Sequence, residues 1–208
     1  MVRQKLRILD SEFDVAAHYR QLLPAAAGAL ELRAAIGALG ECGAEDDVLL
    51  LEPYAADTRP KVRAAAVNAM ALLDRDSVGF LLDALVDPSR RVSRAAARIL
   101  ERRPRAELDG RLAAIVESEL APEHARRSAL DILCVATCWV RLERLLRLTA
   151  STNEQAAGWA RARVPEHGWL PLTNTEAEAI ERALTVATLS PGDREFVRRE
   201  MDLWRRKT

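Results

Sequence analysis

The residues from Asp57 to Leu100 repeat themselves at a spacing of 30, and this periodicity restricts the fold more than any other feature of the chain. Asp57, Val62, Ala65, Ala66, Ala69 and Met70 are matched by Asp87, Val92, Ala95, Ala96, Ile99 and Leu100. Within each copy the apolar positions fall three, four, seven and eight apart, the pattern of a helix that buries one face. A second apolar run, Val78, Leu81, Leu82 and Leu85, lies between the copies, with Asp74, Arg75 and Asp76 before it and Asp87 and Pro88 after it. These polar clusters read as turns, and Pro88, which has no amide hydrogen to donate, suits a helix start. The repeating unit is therefore helix A, turn, helix B, turn. A period near 30 made of two antiparallel helices predicts an α-solenoid.

The register extends in both directions. Leu32, Ala35, Ile36 and Leu39 lead up to Gly40, with Leu32 standing 30 before Val62; Val48 and Leu51 precede Val78 and Leu81 by the same distance. A third unit spans Arg91 to Glu117, with Leu112 and Val116 in the places of Leu81 and Leu85. Glu123 to Leu133 then repeats Arg90 to Leu100 at 33, and Leu142, Leu145 and Leu146 complete a fourth pair. Glu154, Ala157, Trp159 and Ala160 follow Glu123, Arg126, Ser128 and Ala129 by 31 and predict a fifth A helix.

Both ends depart from the pattern, as the capping units of a solenoid must. Residues 1–10 read as a loosely docked end. Ser11 and Asp14 cap a helix expected to run to about Leu23, with Val15, Tyr19 and Leu22 inward, before Pro24 interrupts it. Beyond residue 164, Pro165, Gly168, Pro171 and the capping residues Thr173 and Thr175 mark a connection. Two helices close the chain, one from about Thr175 to Thr188 and one opened by Ser190, Pro191 and Asp193. In the last, Val197, Met201 and Trp204 form a docking face and Arg194, Arg198 and Arg205 stay in water. The expectation is one all-α domain over 1–208, with a cap at 11–30, repeats at 31–164 and a second cap at 165–208.

The stretch from Asp57 to Leu100 resembles HEAT repeats of the short bacterial type also seen in phycobilisome-lyase-like proteins. That resemblance implies a right-handed stack of about five helical hairpins, with the B helices lining a concave face that serves as a binding surface. The function it implies is a non-catalytic, protein-binding scaffold or adaptor. Two alternatives from the same repeat type are a nucleic-acid-binding or DNA-glycosylase-like HEAT protein and a bilin-lyase-like protein, the latter supported by nothing beyond the repeats.

Charge and chemistry narrow these readings. Lys plus Arg equals Asp plus Glu at 31 each, so no net charge draws the chain to nucleic acid or an anionic membrane. No apolar run is long enough to span a bilayer and the start lacks an apolar signal core, so a cytoplasmic protein is expected. The start so close to the first repeat suits a piece of a longer protein. Cys42, Cys134 and Cys138 are an odd number that makes a disulfide framework a poor reading. Cys134 and Cys138 are taken as one turn apart on the fourth A helix and as core residues, since a metal would need two more ligands and only His124 is near in sequence. His18, His124 and His167 show no ligand spacing. There is no glycine-rich phosphate loop, no His-Glu-x-x-His helix and no Gly-x-Ser-x-Gly elbow. No enzyme activity, cofactor or metal is expected.

Two surface features remain. Arg90, Arg94, Arg98 and Arg102 recur every four residues on one helix and Arg141, Arg144 and Arg147 follow each other on another; with Trp139, Trp159, Trp169 and Trp204 they prompt the glycosylase alternative. The first row lies on an A helix, which the resemblance places on the convex side, so it reads as a solvated face. Charge is also segregated: Glu41, Glu45, Asp46, Asp47, Glu52 and Asp57 form an acidic stretch, while Arg90, Arg91, Arg94, Arg98, Arg102, Arg103 and Arg105 outnumber Asp87 and Glu101, a pattern that suits salt-sensitive head-to-tail contacts between copies. The B helices carry a second stripe beyond the one needed for packing: Leu49 and Glu52, then Leu82, Asp83 and Val86, then Ala113 and Glu117, then Leu146 and Arg147. These are the candidate protein-binding residues, expected to form a groove for a partner helix or extended peptide.

Overall fold

The computed structural model describes residues 14–74, 78–103, 108–136, 138–164 and 171–205. Ser11, Arg75, Asp76, Arg105, Pro165, His167, Gly168 and Trp169 lie outside the described residues, as does the side chain of Cys138. Among the described residues the chain is all-helical, without a strand, and divides into two compact units, 1–105 and 106–208. No helix among them is long and apolar enough to cross a membrane.

The first unit contains α1 (Val15–Ala25), α2 (Ala29–Cys42), a 3-10 turn (Glu45–Asp47), α3 (Val48–Ala55), α4 (Pro60–Leu73), α5 (Gly79–Leu85) and α6 (Arg90–Leu100). The A-type helices α2, α4 and α6 lie side by side; α3 packs on α4, α5 lies against α4 and α6, and α1 covers α2. The residues that repeat at 30 are the ones that pack: Leu32, Ala35, Ile36 and Leu39 meet Val62, Ala66, Ala69 and Met70 in one buried cluster that also takes in Leu51. The closest approach of α2 to α4 is at Gly40, where an added Cβ would stand 2.7 Å from the Cα of Ala69. Pro60 opens α4 at a position whose amide has no intrahelical acceptor. In α1 the Asp14 carboxylate accepts from the Ala17 amide at 3.0 Å and caps the helix. Its buried residues are Ala16 and Leu23, with Tyr19 and Leu22 partly buried beside them, and Pro24 sits inside its last turn rather than ending it. A bidentate pair fixes this cap: Arg20 Nε and Nη2 donate to the two carboxylate oxygens of buried Asp47 at 2.6 and 2.9 Å.

The second unit contains α7 (Leu108–Glu117), α8 (Glu123–Leu133), α9 (Cys138–Leu148), α10 (Glu154–Arg163), α11 (Asn174–Val186) and α12 (Pro191–Arg205). α7 packs on α8, α9 lies against α10 and α11, and α12 meets α11. Arg126, only 6% exposed, ties three of these together. Its Nε donates to the Val116 carbonyl at 2.9 Å, its Nη1 to Gln155 at 2.6 Å and its Nη2 to Asn153 at 2.9 Å, while Trp159 lies 5.0 Å beneath the guanidinium. The same Asn153 side chain caps α10 by accepting from the Ala156 amide at 3.0 Å. Thr173 and Glu176 form a reciprocal capping box at the start of α11.

Three expectations are corrected here. Cys134 is the C-cap of α8 and Cys138 the first residue of α9, so they do not share a helix. Arg194 does not stay in water: it donates to the carbonyls of Leu184 and Ala187 at 2.6 and 2.8 Å, where a cation meets the unsatisfied end of α11. α12 docks through buried Val197 and Met201, whereas Trp204 is only half-buried.

Candidate anion-binding groove

A groove of about 640 Å³ opens on the A-type helices of the first unit, with Arg33, Lys61, Arg90, Arg91, Arg94 and Arg98 along it. Its floor is Ala64, Ala65 and Ala95, with Asn68 beside them. The repeat places these side chains. Lys61, Ala64, Ala65 and Asn68 on α4 occupy the same phase as Arg91, Arg94, Ala95 and Arg98 on α6, 30 residues later. The opposite faces of both helices are buried, so this face is turned outward on each. A volume of this size would hold a drug-sized molecule, but such sites are lined mainly by apolar and aromatic groups. Here six cations and no carboxylate surround three methyl groups.

The cations of this unit divide cleanly by what they touch. Arg20 pairs with Asp47, Arg59 with Asp57 and Arg63 with Asp87, and Arg103 donates to the carbonyls of Ala71 and Asp74. Among the described residues none of the six groove cations has an ion-pair partner. Arg102, one turn beyond Arg98, extends the same exposed row.

Why Arg33 is left in the groove follows from one position in a turn. Arg33 and Arg63 are equivalent in the repeat, and each stands 24 residues before an equivalent aspartate, Asp57 or Asp87. Arg63 reaches its aspartate, with Nε and Nη2 donating to the two Asp87 oxygens at 2.8 and 2.9 Å and Nη1 to the Asp57 carbonyl at 2.8 Å. Two residues after Asp87 stands Ser89, which offers no cation. Two residues after Asp57 stands Arg59, whose Nε, Nη2 and backbone amide all donate to the Asp57 carboxylate, at 2.9, 2.7 and 2.7 Å. Those hydrogen bonds, the side-chain ones first, hold the Asp57 carboxyl down at about 2. The aspartate is already occupied, and Arg33 lines the groove instead.

The other arginine row behaves differently. On α9, Arg144 pairs with Asp109 and donates to the Leu133 carbonyl, and Arg147 pairs with Glu143, so neighbouring carboxylates neutralise both charges. Trp159 is flanked by Arg126 and Arg127, each 5.0 Å from its ring, and Trp139 is buried. Neither tryptophan lines the groove, and no other aromatic residue does.

The B-helix stripe is split by burial. Leu49 and Glu52 on α3 are exposed, as are Asp83, Glu117 and Arg147; Val86 and Ala113 are half-buried. Leu82 and Leu146 are 3% and 0% exposed and belong to the core. The reason is the number of neighbours: α5 lies between two helices, as does α9, so each needs two apolar stripes, whereas α3 packs chiefly on α4 and leaves its second stripe bare. Of the groove residues, sequence reasoning named the Arg90, Arg94, Arg98 row but assigned it to a solvated face, and it missed Arg33 and Lys61. The available signal was the register, which sets Lys61 in the phase of Arg91.

Cys42 and Cys134 are half-buried thiols outside any disulfide; burial raises the Cys134 thiol although Arg163 Nη1 approaches its sulfur at 3.7 Å. His18 stacks edge-on with Tyr19 at 5.3 Å. No cluster of three potential metal ligands occurs among the described residues. Comparisons with protein-family models, with curated proteins and with solved structures give no match to this chain.

Proposed function

We propose that this chain is a non-catalytic binding module of about five HEAT-like hairpins, and that its working surface is the cationic groove on α2, α4 and α6, which takes a polyanionic partner. The observation that carries this reading is how the cations are paired: the arginines that hold the first unit have carboxylate or carbonyl acceptors, whereas among the described residues the five arginines and one lysine at the groove have no ion pair. Guanidinium groups held without a counter-charge attract an anionic partner and give its binding a strong salt dependence. The adaptor role expected from the repeats is kept, with the surface moved from the B helices to the A helices. Its place of action in this reading is the cytoplasm, which keeps thiols such as Cys42 and Cys134 reduced.

Retention on immobilised heparin tests it. The chain is expected to bind at low salt, and a variant with Arg94→Glu and Arg98→Glu to pass through or elute markedly earlier; equal retention of the two would refute the reading. A second reading rests on α3, where adjacent Leu49 and Leu50 are 69% and 46% exposed next to Glu52, and assigns a protein contact to that helix. It predicts that Leu49→Glu changes partner capture while leaving the melting temperature unchanged.

A further inference from the structure

We infer that the polyanion taken by this groove is the phosphodiester backbone of duplex nucleic acid, gripped without regard to base sequence. The inference rests on the groove's being the working surface and adds the chemistry of what fills it. Five of the six cations are arginine, whose planar fork matches two phosphate oxygens at once. Arg90, Arg94 and Arg98 follow one another by a helical turn, so they rise about 6 Å at each step and about 12 Å in all. A strand that winds round its axis with a rise of about 3.4 Å per phosphate sets successive phosphates farther apart along its own path, so the three arginines of the row can each meet one. Lys61, Arg91 and Arg33 stand to the side of the row and bring the contacts to between about four and six.

What the groove lacks selects among polyanions. Grooves that hold single strands combine positive charge with aromatic side chains on which bases stack, and no aromatic residue lines this one. An acidic peptide also suits an arginine cluster, but its flexible chain must be ordered on binding, a cost that a rigid duplex avoids. Reading of base edges needs free hydrogen-bonding side chains of fixed orientation. Asn68 gives one amide N–H to the Ala64 carbonyl at 2.8 Å, and Arg90, Arg94 and Arg98 stand on an exposed row with no ion pair among the described residues to fix their forks against a base edge. Charge on a smooth floor suits a rigid, regularly charged rod.

Exposed carboxylates of the same unit, among them Glu41, Glu45, Asp46, Glu52, Asp83 and Glu101, add a repulsive share, so the measurement belongs at low to moderate salt. Fluorescence anisotropy of the full chain is read with two labelled duplexes of unrelated sequence, with one of their single strands, and with labelled polyglutamate. The two duplexes are expected to bind equally and more tightly than the other probes, with a log–log salt slope of about −3.5 to −5.5 for four to six contacts. That slope amounts to a loss of about 10²- to 10³-fold between about 50 and 200 mM salt. Arg94→Glu with Arg98→Glu is expected to abolish binding, Arg91→Gln to flatten the slope by about one unit, and Arg198→Glu, on the exposed face of α12, to change nothing. Circular dichroism checks that each variant is folded, and the wild-type slope stands as a test even if the double variant is not. Tighter binding of the single strand or of polyglutamate, or equal binding of all probes, overturns the duplex inference and leaves the groove as the working surface. No binding by any probe, or unchanged binding by Arg91→Gln and the double variant, overturns both.

Discussion

Replacing Arg126 with methionine removes the guanidinium and keeps most of the apolar stem, and the structure sets the cost. Three acceptors lose their donor: the Val116 carbonyl, Gln155 and Asn153. Hydrogen bonds to a charged group contribute about 1.5–3 kcal/mol net each, so three amount to about 4.5–9 kcal/mol. Against this, methionine avoids several kcal/mol of guanidinium desolvation, Gln155 is exposed and regains water, and Asn153 still accepts from Ala156. The Val116 carbonyl at the end of α7 loses the donor that Arg126 supplied. The balance is a loss of about 3 kcal/mol. All four tryptophans, Trp139, Trp159, Trp169 and Trp204, lie in the second unit, so urea unfolding followed by tryptophan fluorescence reports that unit alone. A double-mutant cycle with Asn153→Ala should return a coupling of about 1 kcal/mol or more. A single variant within about 0.5 kcal/mol of wild type, or a purely additive cycle, would refute the idea that Arg126 straps α7, α8 and α10 together.

Gly40→Ala must push α2 from α4, because its methyl group would meet the Ala69 backbone at 2.7 Å; a loss of about 1–3 kcal/mol is expected in thermal unfolding followed by circular dichroism, and an unchanged melting temperature would contradict the close approach. Leu82→Glu and Leu146→Glu each bury a carboxylate among apolar neighbours and should cost about 3 kcal/mol or more; retained helicity and melting in both would return that stripe to the surface. Asp57, with its folded pKa lowered from 3.8 to about 2, contributes stability that is fully present above the unfolded value and is lost as pH falls through that window. The urea midpoint of Asp57→Asn should therefore fall less steeply with acid between those two values than that of the wild type, and parallel curves would remove the pair from the balance.

The helices were legible because burial imposes a period: Glu123 to Leu133, read from a 33-residue echo of Arg90 to Leu100, coincides with α8. Less legible was how many neighbours a helix would have. A second apolar stripe looks the same in α3, where Leu49 is bare, and in α5, where Leu82 is core, because sequence spacing records a face and not its contacts. The turn that separates Cys134 from Cys138 is only a few residues long and lies between two helical patterns that could have been continuous. The groove escaped for a different reason. Equal numbers of acids and bases cancel in a sum over the chain, whereas a local field depends on which cations have found carboxylates, and that is settled by contacts 24 residues apart, such as Arg63 with Asp87.

The contrast between Arg59 and Ser89 has a consequence for how such a surface can change over generations. Arrays that grow by copying a unit inherit an arginine and an aspartate in each copy, and the helix itself need not be altered to give that arginine a new occupation. One substitution in the turn is enough. Arg59→Ser would leave Asp57 open to Arg33, as Asp87 is to Arg63, and withdraw a positive charge from the groove. Ser89→Arg would do the reverse, releasing Arg63 from its aspartate. Because the changed residue lies in a surface turn, outside the packed faces, affinity for an anionic partner becomes adjustable in single-charge steps at the expense of one ion pair, and selection can act on binding without first having to repair the core.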